Sequence, residues 1–232
     1  MPSSDDRRRR GSAFGLSIDS GVALPGQRTD AGAGGSERPL AIEVGPAARL
    51  DERRVGERIF ELHDAGALAH AIERTDGGYR FLVRGAGLYE LSGDGRLVRT
   101  SPVTGSSRAW RRYLIGQVLP FAAVLQGLEV LHASAVEIGG RVVAISGPSG
   151  LGKSTLALLL HDGGAGFVTD DVLAVELRGG RVVAHPGLGL AKVRRPAGEG
   201  FAEVRRAVRT IEEPLPLGTF CLLERAAGDE LE

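Results

Sequence analysis

Eight consecutive residues, Gly147-Pro148-Ser149-Gly150-Leu151-Gly152-Lys153-Ser154, match the pattern G-x-x-x-x-G-K-[ST] at every fixed position. Each fixed residue has a task in holding a polyphosphate. The glycines let the backbone curl so that successive N–H groups converge on one anion, and the following helix adds the positive end of its dipole. Lys153 would reach the β and γ phosphates, and the Ser154 hydroxyl would ligate Mg²⁺. The setting is right as well, with an apolar strand before the loop and an apolar helix opening at Thr155. The expectation is a site for ATP with Mg²⁺ lined by residues Gly147 to Thr155. Lysine is scarce here, since Lys153 and Lys192 are the only two, yet one stands where a phosphate loop requires it.

Two acidic residues, Asp170 and Asp171, close the short apolar run Phe167-Val168-Thr169. An acidic residue at the end of a strand neighbouring such a loop can hold Mg²⁺ through water. Adjacent residues on an extended segment point to opposite sides, so one aspartate would face the metal. The other is either structural or takes the proton of an attacking hydroxyl. His132 is placed by register: a tight turn at Gly139-Gly140 pairs Ile138 with Arg141, which sets His132 opposite Gly147. His161 and His185 have no comparable placement and read as structural.

Composition narrows the classes. The chain has 232 residues, 42% hydrophobic and 25% charged, enough for one sizeable core or two small domains. Its 29 basic and 29 acidic side chains balance, whereas a nucleic-acid binder shows a basic excess. No apolar run reaches the ~20 residues that span a bilayer, and no signal peptide opens the sequence. Cys221 is the one cysteine, so an internal disulfide and a cysteine-based zinc site are excluded. The expected location is cytoplasmic, with neither nucleic acid nor membrane as partner.

The elements that must position these residues divide the chain. Residues 1–12, carrying Arg7 to Arg10, read as a disordered tail, and residues 13–105 as a small, mainly antiparallel β domain. In that domain Phe14–Ile18, Leu40–Val44, Arg58–Leu62, Tyr79–Arg84, Leu88–Leu91 and Arg96–Thr100 are strand-like. The stretch from Arg28 to Pro39 reads as a mobile loop. Residues 106–127 form a connecting helix with Trp110, Leu114, Val118, Phe121 and Leu125 on one face, kinked at Pro120. Residues 128–232 form an α/β domain around the phosphate loop. Its expected order is a strand Leu128–Ile138, a strand Arg141–Ile145, and a helix from Thr155 with Leu156, Leu159 and Leu160 inward. The strand to Thr169, a hairpin around Gly179-Gly180, a helix Glu199–Val208 and a strand Thr219–Glu224 follow.

Leu131-His132, the phosphate loop and Val168-Thr169-Asp170-Asp171 together resemble the catalytic domain of HPr kinase/phosphorylase. The run from Leu131 to Glu176 looks more closely like HPr-kinase-related proteins often found beside peptide-modification genes, including lasso-peptide clusters. The resemblance implies transfer of the γ-phosphoryl group of ATP to a serine hydroxyl of a peptide or protein, and a homo-oligomer. His132, Lys153, Asp170 and Asp171 are then the catalytic set, with Asp171 by spacing the acceptor of the serine proton, His132 orienting or tuning it, and Asp170 left to hold Mg²⁺ with Ser154. Two departures accompany the likeness. Ala184-His185-Pro186-Gly187 stands where those kinases carry an E-x-R-G segment, and Pro214 to Gly218 replaces an arginine-bearing one. The chain also ends soon after Glu224, as a short or truncated member would. Two other functions share the motifs: a kinase of a small hydroxylated metabolite, and a nucleotide-binding regulatory module without turnover.

Overall fold

The computed structural model describes residues 9–28, 37–47, 49–105, 107–197 and 200–225. The chain forms two compact units, Met1–Glu129 and Val130–Glu232. Both are rich in sheet and poor in helix.

The first unit is an eight-stranded mixed sheet of β1 (Arg9–Ala13), β2 (Leu16–Ser20), β3 (Pro39–Val44), β4 (Glu57–Asp64), β5 (Ala67–Thr75), β6 (Gly78–Val83), β7 (Gly87–Ser92) and β8 (Leu97–Pro102). Its strand order is β1-β2-β3-β8-β7-β6-β5-β4, with β2–β3 and β3–β8 parallel and the remaining pairs antiparallel. The expected tail and the first strand need correction. Residues 9–12 pair with β2, because Phe14 and Gly15 both adopt positive φ (55° and 73°) and form the tight turn that a hairpin needs. Phe14 therefore sits in a turn and not in a strand. Residues 1–8 and most of the expected loop, 29–36, lie outside the described residues. Strand β5 went unread, since its opening Ala67-Leu68-Ala69-His70 lacks the β-branched residues that usually signal a strand.

The connecting segment is helical but not one helix. It runs α1 (Ser107–Tyr113), a π-helical turn (Leu114–Val118) and α2 (Leu119–Leu125). Pro120 has no N–H to donate to Gly116, and the chain absorbs this by widening: the Leu119 N–H donates to the Leu114 carbonyl, five residues back. The extra residue rotates the buried face. Trp110, Leu114 and Val118 are buried as expected, but beyond the π turn Leu119, Ala122 and Ala123 replace Phe121 and Leu125 as the fully buried positions. The Tyr89 hydroxyl donates to the Trp110 carbonyl (2.9 Å) and the Trp110 indole N–H donates to Thr100 (2.7 Å), tying α1 to the sheet.

The second unit has a seven-stranded sheet built from β9 (Glu129–Leu131), β10 (Ala133–Ile138), β11 (Arg141–Ser146), β12 (Gly166–Thr169), β13 (Leu173–Arg178), β14 (Arg181–His185) and β17 (Leu215–Leu222). Its order is β12-β10-β11-β17-β14-β13-β9. Helix α3 (Lys153–Asp162) covers Val136 and Ile145 with Ala157, while Ala133, Ala135, Val142, Ala144, Val168 and Leu173 form a core of mostly small side chains. Three expectations change. The strand Leu128–Ile138 breaks at His132 into β9 and β10, which lie in different parts of the sheet. In α3 the buried residues are Lys153, Ala157 and Leu158, whereas Leu156 and Leu159 are exposed, Leu159 at 64%. Leu160 does pack inward, against the cluster of Val136, Ile145 and Ala157, but the rest of the face was set by which residues meet the sheet. Finally, the expected helix Glu199–Val208 is β16 (Gly200–Ala207), paired residue for residue with β15 (Leu190–Ala197), from Leu190↔Ala207 to Ala197↔Gly200. Helix propensity in its alanines, glutamate and arginines yields here to cross-strand pairing. Residues 198 and 199 lie outside the described residues. The stretch Leu215 to Gly218 opens β17, with a bulge that skips Gly218 between the Leu217 and Thr219 pairings.

Candidate active site

Register assembles the site. Strand β10 is central to three strands, antiparallel to β11 on one side and to β12 on the other. The C-terminal ends of β11 and β12 therefore both lie beside the start of β10, with Ala133 paired to Ser146 and Ala135 to Thr169. What leaves β11 is the segment Gly147–Gly152, and what leaves β12 is Asp170-Asp171. His132 is the residue just before β10, one step past the Ala133↔Ser146 pair, so the sequence-derived register holds. The Ser146 hydroxyl donates to the His132 carbonyl (3.0 Å) and fixes that bend.

The loop returns tightly on itself. Gly147, Gly150 and Gly152 have φ of 142°, 88° and 89°. Gly147 is also required by space, because a Cβ there would lie 2.6 Å from the Leu223 carbonyl oxygen. At Gly150 and Gly152 a Cβ would meet nothing within 4 Å, so that side of the loop is open. The Lys153 ammonium donates to the carbonyls of Gly147 (2.7 Å) and Pro148 (3.1 Å), closing a ring over the loop. Ser149 and Gly150 are exposed at its tip, Leu151 is half-buried, and Thr155 is exposed in the first turn of α3. That first turn carries no acidic residue, and no side chain caps it, which leaves its N–H groups for an anion.

The two aspartates diverge. Asp171 has φ 73°, a left-handed conformation that Asp tolerates better than most residues, and the Thr169 hydroxyl closes the turn by donating to the Val172 carbonyl (2.6 Å). Asp170 points inward: its Oδ1 accepts from the hydroxyls of Ser154 (2.7 Å) and Ser134 (2.6 Å), and its Oδ2 from the backbone N–H of Lys192 (2.7 Å). Asp171 turns the other way, with Oδ2 at 2.5 Å from the Lys192 ammonium and Oδ1 at 3.6 Å from His132 Nδ1. His132 Nδ1 also donates to the Asp171 carbonyl (2.9 Å), which leaves Nε2 as an acceptor in the neutral ring.

His132, Ser154, Asp170 and Asp171 thus come together, with Lys153 anchored on the adjoining loop. His161 binds the Ala165 carbonyl and His185 the Glu176 carboxylate. Two members went unread. Ser134 carried a usable signal, since on the expected strand Leu128–Ile138 it lies two residues after His132 and would share its side. Lys192 carried none, because β15 reaches the site only through tertiary packing.

No family model matches the chain. Curated relatives do match. One stretch is 32% identical over 112 residues to the HPr kinase/phosphorylase of Chlorobaculum tepidum, covering 43% of this chain and 33% of that protein. Those of Pelodictyon phaeoclathratiforme and Chlorobium limicola match at 35% over 95 residues and 43% over 54. They cover 35% and 23% of this chain, and 27% and 16% of their own lengths. Over those stretches the chain is similar in sequence to HPr kinase/phosphorylase. The chain spans about a third or less of the length of the curated relatives it matches. The solved HPr(Ser) kinase/phosphatase of Coxiella burnetii aligns over 44% of this chain and 66% of its own at 23% identity and a TM-score of 0.32, a loose likeness. Among the described residues no helix is long and apolar enough to cross a membrane.

Proposed function

We propose that this chain binds ATP with Mg²⁺ at the loop Gly147–Ser154 and transfers the γ-phosphoryl group to a serine hydroxyl of a peptide or protein. The observation that carries the reading is the divergence of Asp170 and Asp171 from one turn beside the loop. Asp170 is bound to the Ser154 hydroxyl, while Asp171 faces partly exposed space. Two carboxylates in two environments suit two tasks.

The donor set fits the metal. Ser154, Asp170 and Ser134 offer hard oxygens of the kind Mg²⁺ takes alongside water and phosphate, with Ser154 and Asp170 as its protein ligands. When bound, the ion neutralises negative charge on the phosphate oxygens. The loop N–H groups and the first turn of α3 receive the phosphates, and Lys153 leaves its carbonyl partners to meet their outer oxygens. The serine hydroxyl oxygen forms a bond to the γ-phosphorus as the bond from that phosphorus to the β–γ bridging oxygen breaks. ADP departs with the electron pair, and the hydroxyl proton passes to the Asp171 carboxylate. His132, hydrogen-bonded to the Asp171 carbonyl, orients that segment and is the fourth member of the catalytic set with Lys153, Asp170 and Asp171.

The test is incubation of the purified chain with γ-labelled ATP and Mg²⁺ in an extract of its source, beside Lys153→Ala and Asp171→Asn. Acid-stable label in a peptide or protein band, lost in both variants, is expected. Label confined to a small molecule would replace this reading with a metabolite kinase. No label, with ATP bound by the wild type but not by Lys153→Ala, would replace it with a nucleotide-binding regulatory module.

A further inference from the structure

We infer that Lys192 is a positioning residue of this site and acts through Asp171; the inference rests on the kinase reading above. Strand β15 is seated by its second residue. Ala191 is fully buried against Leu158 of α3 and Phe167 of β12, with Val193 and Val208 packed around them. Because side chains alternate along a strand, anchoring Ala191 turns Lys192 the other way, towards the aspartates. A single residue then spans both carboxylates: its backbone N–H donates to Asp170 Oδ2 (2.7 Å) and its ammonium donates to Asp171 Oδ2 (2.5 Å).

The ion pair has little to do for the fold. The Lys192 and Asp171 side chains are 28% and 36% exposed, and pairs this accessible contribute little to stability. The buried neighbours of Ala191 already hold the strand. What the ammonium decides is geometry and charge at Asp171. With Oδ2 held by Lys192, Oδ1 is the oxygen left to receive the acceptor hydroxyl. An anionic carboxylate must also work close to a polyphosphate, and a cation on its far oxygen offsets that repulsion. Lysine suits the task because its compact head meets one carboxylate oxygen, while the arginines that make up nearly all other basic residues would engage both.

The experiment measures the initial rate of acceptor labelling in the same extract, together with ATP affinity by calorimetry and thermal unfolding by circular dichroism. The proteins compared are the full-length wild type, Lys192→Met, Lys192→Arg, Asp171→Asn and the Lys192→Met/Asp171→Asn double variant. Lys192→Met is expected to label about 10–100-fold more slowly, the scale of loss that a misplacement of order 1 Å produces. Its ATP affinity should stay within about threefold and its melting within a few degrees of the wild type, and Lys192→Arg should recover part of the rate. The double variant should be no slower than Asp171→Asn alone, since a residue acting through Asp171 has nothing left to act on. Wild-type labelling with Lys192→Met equally fast overturns this inference and leaves the kinase reading standing. Loss of ATP binding or of the fold in Lys192→Met, unrelieved in Lys192→Arg, overturns it in favour of a structural role. A wild type that labels nothing overturns the kinase reading, and this inference with it.

Discussion

Asp170 is the most connected side chain of the site, and its removal has a cost that can be worked from the contacts. Asp170→Ala deletes the acceptor for two hydroxyls and one backbone N–H. The three losses are unequal. Ser154 and Lys192 are only half-buried, so water can take the place of the carboxylate for their donors. Ser134 is fully buried, so its hydroxyl is stranded. An orphaned buried hydroxyl costs about 1–3 kcal/mol, and the two replaceable hydrogen bonds to a carboxylate add about 1 kcal/mol together. The expected total is about 2–4 kcal/mol, a fall in melting temperature of about 10–25 °C for a unit of this size. Urea and thermal unfolding of the full chain, followed by far-ultraviolet circular dichroism, measure it. The decisive control is Ser134→Ala added to Asp170→Ala: it removes the orphan and should recover about 1 kcal/mol or more. A single variant that melts within 2 °C of the wild type, or a double variant no better than the single, would refute the reasoning.

Other predictions follow from the same contacts. Gly147→Ala must move the Leu223 carbonyl as well as accept a positive φ, so it should unfold at lower urea than Gly150→Ala, which bears only the conformational cost of about 1–2 kcal/mol. In the first unit, Glu73 is fully buried and bonded to Arg58 (2.7 Å), Arg80 (3.2 Å) and the Val55 N–H (3.2 Å). Burial pushes its carboxyl up, but the Arg58 hydrogen bond, the Val55 N–H and Arg80 together outweigh this and hold it below its ordinary value. A depressed carboxylate contributes fully above its unfolded value of about 4.3 and loses that contribution as pH falls through the folded value, so acid unfolding monitored at Trp110 should be shallower in Glu73→Gln. Glu73→Ala at neutral pH leaves the buried Arg80 guanidinium without this partner and should cost about 3 kcal/mol by urea titration. On α3, Leu159→Gln should change stability by less than about 0.5 kcal/mol because that side chain is exposed, whereas Ala157→Leu overpacks the contact with Val136 and Ile145 and should cost about 1–3 kcal/mol.

The residues of this chain determined by themselves whatever depends on a few neighbours along the backbone. The phosphate-loop pattern is one such feature, because positive φ at Gly147, Gly150 and Gly152 and a helix straight after the loop are local demands, although the helix opens at Lys153, two residues before the expected Thr155. The hairpin at Gly139-Gly140 is another, and from it the pairing of Ala133 with Ser146 followed by counting, which is why His132 could be placed beside the loop. Tertiary structure decided what depends on distant partners. Gly200–Ala207 is a strand because Leu190–Ala197 lies alongside it, against its own helical preference. The exposed face of α3 was set by where Val136 and Ile145 meet it, not by the spacing of its leucines. Lys192 reaches Asp171 only because Ala191 is buried between α3 and β12, a contact between segments more than twenty residues apart that leaves no periodic trace in the sequence. Backbone turns are specified by local sterics, whereas side-chain company is specified by packing, and packing is a property of the whole fold.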